Sequence, residues 1–261
     1  MTDKILIDKR GGVGWVTINN PARRNAISLE MWQSMGAAFA DFAADGAIRC
    51  AVIHGAGDKA FASGADISQF EKNRSDAEAS AAYAKISQGV RNRILAFDKP
   101  LIAMVRGYCM GGGLGLAMTA DMRISADDGV FAIPAARLSI AYDTVNLANL
   151  IHLVGPSKAK EILLTAKRYS AAEAMQMGLV NEVVPVAGLE AAVADVTDRL
   201  VENAPLSMRA MKLTINQLMM DAGDRDEALI EALSDACFNS ADYAEGRKAF
   251  MEKRKPVFTG K

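Results

Sequence analysis

Apolar residues alternate with polar ones over Ile5 to Asp8 and again over Val13 to Asn19, and the two runs flank Gly11 and Gly12. A period of two on either side of a glycine pair predicts a β-hairpin. Asn20-Pro21 stops the second strand, because proline has no N–H for a ladder. The period then lengthens. Leu29, Trp32, Met35, Phe39 and Phe42 recur at helical spacing behind Ser28, a residue suited to an N-cap, and the run ends near Gly46. Apolar runs at Cys50 to His54, Leu101 to Val105 and Met122 to Ser125 predict further strands, with helical stretches such as Ala77 to Phe97 between them. That alternation predicts an α/β fold with crossover connections. Beyond Pro134 the pattern is helical at Thr144 to Val154, Pro156 to Thr165 and Ala171 to Met177, with a last strand over Leu179 to Val184. From Leu189 onward only helical periods remain, so a core over residues 1–198 and a helical region over 199–261 are expected.

Two glycine-bearing segments interrupt this pattern, Phe61-Ala62-Ser63-Gly64-Ala65-Asp66-Ile67 and Gly107-Tyr108-Cys109-Met110-Gly111-Gly112-Gly113-Leu114-Gly115, each shortly after a strand-like run. Glycine is costly inside regular structure, so a triple glycine opening the apolar run to Met118 points to a ligand that approaches bare main chain at a helix start. Unpaired N–H groups there favour an anion. Tight helix packing is the competing reading of the same residues.

Composition narrows the classes. The 261 residues carry 30 basic and 31 acidic side chains, a balance with no overall attraction for nucleic acid or a membrane surface. Any anionic ligand must be held locally. Cys50, Cys109 and Cys237 form neither a disulfide framework nor a zinc pattern and point to a reducing compartment. No secretory signal opens the chain and no apolar run reaches the length of a membrane span, so a cytoplasmic protein is expected. The glycine segment is not a dinucleotide fingerprint, because frames from Gly111 and Gly113 end on Leu116 and Met118. A hydrolase elbow fails at Gly155-Pro156-Ser157-Lys158-Ala159, which lacks the second glycine. With only His54 and His152, both expected to be structural, neither a Ser-His-Asp triad nor a metal site is expected.

Other segments carry a family likeness. Asn19-Asn20-Pro21 with Arg24-Asn25-Ala26-Ile27-Ser28, the two glycine segments, Ala171-Ala172-Glu173-Ala174 with Gly178-Leu179-Val180-Asn181, and the ending Glu252-Lys253-Arg254-Lys255-Pro256-Val257-Phe258 occur in order along nearly the whole chain. In these the chain resembles the enoyl-CoA hydratase/isomerase, or crotonase, superfamily. The resemblance implies a spiral of repeated ββα units with a C-terminal helical domain through which a homotrimer or dimer of trimers assembles. It implies acyl-CoA thioester substrates, and no cofactor beyond the coenzyme A that the substrate carries. By motif position the amides of Ala65 and Gly112 hold an enolate or other oxyanion beside Gly111. Ala26, Ala62, Asp66 and Ile67 fall where the family binds CoA, and Arg23 and Arg24 where basic residues approach its phosphates. Phe250 and Lys253 lie in the tail that reaches the adenine site of a neighbouring subunit. For Asp66 a turn or cap role is an equal alternative.

The departures decide the expected reaction. Hydratases of the family use two glutamates at positions that here hold Gly115 and Ala135, neither able to transfer a proton. Asp143, further along, matches a catalytic aspartate of the dienoyl-CoA isomerases, whose second acid would fall on Gly115. It is equally suited to cap a helix starting at Thr144. Arg137, Ser139, Tyr142 and Asn146 are expected as packing or surface. Double-bond isomerisation or decarboxylation therefore suits the chain better than hydration. An enoyl-CoA hydratase with an atypical site and an inactive CoA-ester-binding protein are the alternatives.

Overall fold

The computed structural model describes residues 2–66 and 77–261, with the side chains of 77–83 left aside. Strands β1 (Ile5–Arg10) and β2 (Val13–Ile18) form the antiparallel hairpin, in register from Ile5 opposite Ile18 to Arg10 opposite Val13. Helix α1 (Leu29–Ala44) starts where Ser28 Oγ accepts the Met31 N–H at 3.3 Å, and it buries Trp32, Met35, Phe39 and Phe42. Strand β3 (Cys50–Gly55) then pairs with β2 in parallel. Each later turn of the chain repeats one unit. β3 is followed by the short β4 (Ala60–Ala62) and helix α2 (Ala77–Leu95); β5 (Leu101–Val105) by β6 (Tyr108–Met110) and α3 (Gly112–Ala117). β7 (Met122–Ala126) is followed by β8 (Val130–Ala132) and α4 (Thr144–Thr165). The long strands build one sheet in the order β1-β2-β3-β5-β7-β10, where β10 is Glu182–Val184. The short ones build a second, β4-β6-β8-β9, where β9 is Tyr169–Ser170 and leads into α5 (Ala171–Gln176). This is the α/β arrangement of repeated ββα units.

The large sheet is covered on both faces, which is why its parallel strands read as continuous apolar runs. One face packs against α1 and α2 around Phe39, Phe42, Ile53 and Ala103. The other packs around Val52, Ile102 and Ile124 against Leu189 and Val193 of α6 (Leu189–Glu202). The edge expected at 198/199 therefore falls inside a helix that belongs to the sheet. The chain leaves this layer at Asn203, and α7 (Pro205–Leu218), α8 (Glu227–Phe238) and α9 (Ala241–Glu252) follow. In α7, Met208 is buried while Met211, Ile215 and Leu218 are more than half exposed.

Of two further sequence expectations, the pair of helices after Pro134 is found as expected and the last strand is shorter. The helices over 144–154 and 156–165 are consecutive, with a break at Gly155 (φ 75°, ψ 162°) that Pro156 follows. The last strand is only Glu182–Val184, while Leu179 and Val180 ahead of it are core residues. Between them, Arg123 of β7 lies fully buried and ties the connection into β10 to the sheet. Its Nε donates to Leu179 O at 2.8 Å, Nη1 to Ala120 O at 2.6 Å and Nη2 to Asn181 Oδ1 at 3.3 Å. Burial lowers its pKa to about 10, which leaves it cationic at neutral pH. His54 is held in β3 by a 2.9 Å hydrogen bond with Thr17 Oγ1, and His152 is exposed on α4. No described helix is long and apolar enough to cross a membrane.

Candidate active site

The first glycine segment leaves β4 and runs beside Ile27 as a parallel bridge. The Ile27 N–H donates to Gly64 O at 2.8 Å, and the Asp66 N–H donates to Ile27 O at 3.2 Å. Those two bonds straddle Ala65, so the N–H of Ala65 itself points away from Ile27. The second segment turns at Gly111, whose φ of 52° with ψ of −118° is open only to glycine, and whose N–H donates to Ala132 O at 2.8 Å. Gly112 thereby becomes the first residue of α3, with no intrahelical acceptor for its amide. A Cβ placed on Gly112 would stand 3.7 Å from the Ala65 nitrogen. Among the described residues no acceptor for either N–H is found. Helix α3 is only six residues long, so these two amides, more than a macrodipole, are what the motif offers.

Ala65, Gly111 and Gly112 line a cavity of about 440 Å³. Trp32, Ile133, Leu138 and Ile140 supply much of its apolar wall, and Arg91, Tyr142, Asp143 and Asn146 supply a polar one. Asp143 is the N-cap of α4: its Oδ1 accepts the Asn146 N–H at 3.1 Å. Its Oδ2 accepts from Asn146 Nδ2 at 2.7 Å and from Arg91 Nη2 at 3.4 Å. The capping reading is thus a fact of the geometry, and so is the carboxylate's place on the cavity wall. It is the only acid among the described lining residues. A Cβ on Gly115 would lie 2.9 Å from both terminal atoms of Asn146 and 3.0 Å from the Tyr142 hydroxyl, so the room a longer side chain would need there is occupied. Ala135 lines the cavity and has no proton to move. Among the described residues no group of three metal-ligating side chains occurs.

The remaining predicted binding residues are spread more widely. Asp66 is buried and accepts from Arg23 Nη1 at 2.9 Å. Arg24, in the left-handed region at φ 51°, lays its guanidinium 5.1 Å from the centroid of the Tyr108 ring. It lines a second cavity of about 300 Å³ together with Pro21 and Lys59. Ala26 and Ala62 are buried, the carbonyl of Ala26 accepting from Asn20 Nδ2 at 2.9 Å. Ile67 lies outside the described residues. Phe250 on α9 and Lys253 at its C-cap are exposed and line neither of these two cavities. Sequence reasoning missed Arg91 and Trp32, which meet with the guanidinium 5.5 Å from the ring centroid, and it read the fully buried Asn146 as packing or surface. An arginine on an amphipathic helix carries no periodic signal that separates it from a solvated one.

A family model described as enoyl-CoA hydratase/isomerase matches residues 8–261. The chain is 35% identical over 259 residues to a crotonyl-CoA hydratase of Syntrophomonas wolfei, covering 99% of each. It is 33% identical over 267 residues to a carnitinyl-CoA dehydratase of Salmonella enteritidis, covering 100% of each. Among solved structures, an enoyl-CoA hydratase/carnithine racemase from Magnetospirillum magneticum superposes with a TM-score of 0.93 at 38% identity, over 100% of this chain and 97% of the other.

Tyr142 ties the polar wall to the glycine turn, because its hydroxyl donates to Gly111 O at 3.0 Å. Burial, with a smaller effect of the Asp143 charge, pushes its phenol above the ordinary value of 10.0, so it is a donor and not a base near neutrality. A folded value above the unfolded one stabilises the protein below pH 10, and this contribution is lost as pH rises through the folded value. Tyr142→Phe is expected to cost about 1 kcal/mol at pH 7 through the lost hydrogen bond. Above pH 10 the variant should lose less stability than the parent. Urea midpoints across a pH series check both; an unchanged midpoint at pH 7 would mean that the hydroxyl does not brace the turn.

Proposed function

The chain belongs to the enoyl-CoA hydratase/isomerase family, and from that membership we propose an acyl-CoA thioester enzyme in which the Ala65 and Gly112 amides stabilise an enolate and Asp143 moves the proton. The observation that carries this reading is that two amides with no acceptor among the described residues share one cavity with a carboxylate. In a 3-enoyl thioester Asp143 takes a proton from C2, and the electron pair moves into the thioester carbonyl, whose oxygen then lies against the two amides. The dienolate spreads its charge to C4. Return of the same proton there leaves the double bond between C2 and C3, so one carboxylate completes the cycle without water. In a malonyl-type thioester the electron pair of the carboxylate bond enters the carbonyl, CO2 leaves, and one proton is delivered to C2. Each preorganised donor facing the developing oxyanion contributes about 3 kcal/mol.

Hydration needs, in addition, a water activated beside C3. The positions where the family likeness expects the two glutamates hold Gly115 and Ala135, and Asn146 and Tyr142 fill the space beside Gly115. Isomerisation or decarboxylation therefore ranks ahead of hydration. The relatives named hydratase and dehydratase support an acyl-CoA substrate and keep water addition as the alternative. A CoA-ester-binding protein without turnover is favoured by one observation, that the bonds from Asn146 and Arg91 give Asp143 a full structural role. Incubation with 2-enoyl-, 3-enoyl-, dienoyl- and malonyl-type CoA esters, followed by ultraviolet absorbance and mass, separates these readings.

Asp143→Asn keeps the cap and weakens a partly exposed ion pair, so a stability loss of about 1 kcal/mol or less is expected. Turnover should fall about 10²-fold or more. A folded variant with the parent's rate would remove Asp143 from the chemistry.

Gly112→Pro deletes one amide proton at the first helical position, where proline is tolerated. With the thermal midpoint little changed, kcat is expected to drop about 10²-fold or more. Full turnover would show that this amide does not hold the oxyanion.

The exposed apolar side chains of Met211, Ile215, Leu218, Phe238 and Phe250 support assembly through the helical end as a homotrimer or dimer of trimers, with Phe250 and Lys253 at a neighbour's CoA. Light scattering at micromolar concentration should give the mass of three or six chains. A monomer there would reject the assembly.

A further inference from the structure

Asn25 is fully buried, and its side chain holds three segments of the chain together. Oδ1 accepts from the Asn20 N–H at 2.9 Å, and Nδ2 donates to Ala60 O at 2.7 Å and to Ala56 O at 2.9 Å. The loop after β2, the end of β3 and the start of β4 thereby meet on one side-chain amide, both of whose N–H groups are engaged. Arg24 and Asn25 stand in the left-handed region at φ 51° and 57°, which asparagine tolerates better than most residues. A Cβ on Gly55 would lie 2.6 Å from Asn25 Nδ2 and would run into the Ala60 and Phe61 carbonyls. The slot admits no larger neighbour, so the amide of Asn25 is held in one position.

The residues around Asn25 run alongside the segment that leaves β4. The Ser63 N–H donates to Arg24 O at 3.0 Å, ahead of the two bonds by which Ile27 flanks Ala65. Ala65 is therefore placed from two directions, through Ala60 at the start of β4 and through Ile27. Asn25 governs both, because it bonds to Ala60 directly and stands two residues before Ile27. It borders the cavity of Arg24 and Lys59 and not the one that Ala65 and Gly112 line, so it acts on the Ala65 amide through the main chain. A hydrogen bond weakens steeply as its angle closes, and a small rotation of the peptide at Ala65 is enough to lose an oxyanion donor. We propose that Asn25 is a positioning residue for the oxyanion site, its side-chain amide aiming the Ala65 N–H at the thioester oxygen. The proposal rests on the reading of Ala65 and Gly112 as the oxyanion donors.

Infrared difference spectroscopy of butanoyl-CoA, isotope-labelled at the thioester carbonyl carbon, tests it on the wild-type protein, Asn25→Gly and Asn25→Asp. Donors to the carbonyl oxygen lower its stretching frequency, and the saturated chain has no double bond to move. Glycine keeps the left-handed backbone and removes all three side-chain bonds. Aspartate keeps the size and the acceptor for Asn20 but, when ionised, has no donor for Ala56 and Ala60. With the ester bound at saturation, each folded variant is expected to lose about half of the wild-type displacement, as the loss of one donor out of two would cause. Gly112→Pro gives the reference for that loss. A displacement equal to the wild type's in either folded variant overturns the proposal. Failure of both variants to fold also overturns it, because Asn25 would then serve the whole fold and not the amide. If butanoyl-CoA does not bind the wild type, the acyl-CoA reading has failed; if it binds with its carbonyl undisplaced, the two amides are not the donors. In either case the positioning role falls with the reading beneath it.

Discussion

The contact between α3 and β4 is the constraint on which the site depends. A Cβ on Gly113 would run into the Ala62 carbonyl, so helix and strand meet main chain to main chain with no side chain between them. Only such an approach brings the start of α3 against the segment that leaves β4. Gly111 supplies the backbone angles that turn β6 into α3 at that distance, and Tyr142 holds the turn from the opposite side. The amides of Ala65 and Gly112 become neighbours as a consequence. Backbone donors of this kind have no rotamers to fix, so their positions follow from the fold itself and they cost little to hold in place.

The polar wall follows a different rule, because its members are side chains that must satisfy one another. Arg91 brings a positive charge into the interior and stacks on Trp32, and Asp143 is its nearest counter-charge. Asn146 donates to the same carboxylate from main chain and side chain together. That arrangement orients the carboxylate from three directions, and among the described residues it leaves Arg91 Nε and Asn146 Oδ1 without a partner.

What was legible in the sequence follows the length of each signal. The hairpin, α1 and the long parallel strands carry several residues of period two, period 3.6 or unbroken apolarity, and each is found near its expected place. Strands β4, β6, β8 and β9 are two or three residues long, too short for any period to show, so the second sheet was invisible although the glycine segments lie at its ends. The glycines did mark the two amides, because a main chain that must be bare is written in residue type. Arg91 and Asn146 left no comparable mark. Their roles depend on which element faces the cavity, and that is settled by tertiary packing after the helices have formed.

Asp143 shows why a structural and a chemical reading of one residue need not exclude each other. An ionised carboxylate offers about four lone-pair sites. Three are taken, one on Oδ1 by the Asn146 N–H and two on Oδ2 by Asn146 Nδ2 and Arg91 Nη2. One site on Oδ1 remains, on a group whose side chain is 35% exposed and lies along the cavity wall. The capping bond fixes the oxygen that keeps this site, and the Arg91 and Asn146 donors hold the other oxygen still. A base that must find the same carbon at every turnover gains from such fixing, because the orientation is established when the protein folds and not when the substrate binds. The cap and the proposed proton shuttle therefore use different lone pairs of one carboxylate, and the first positions the second.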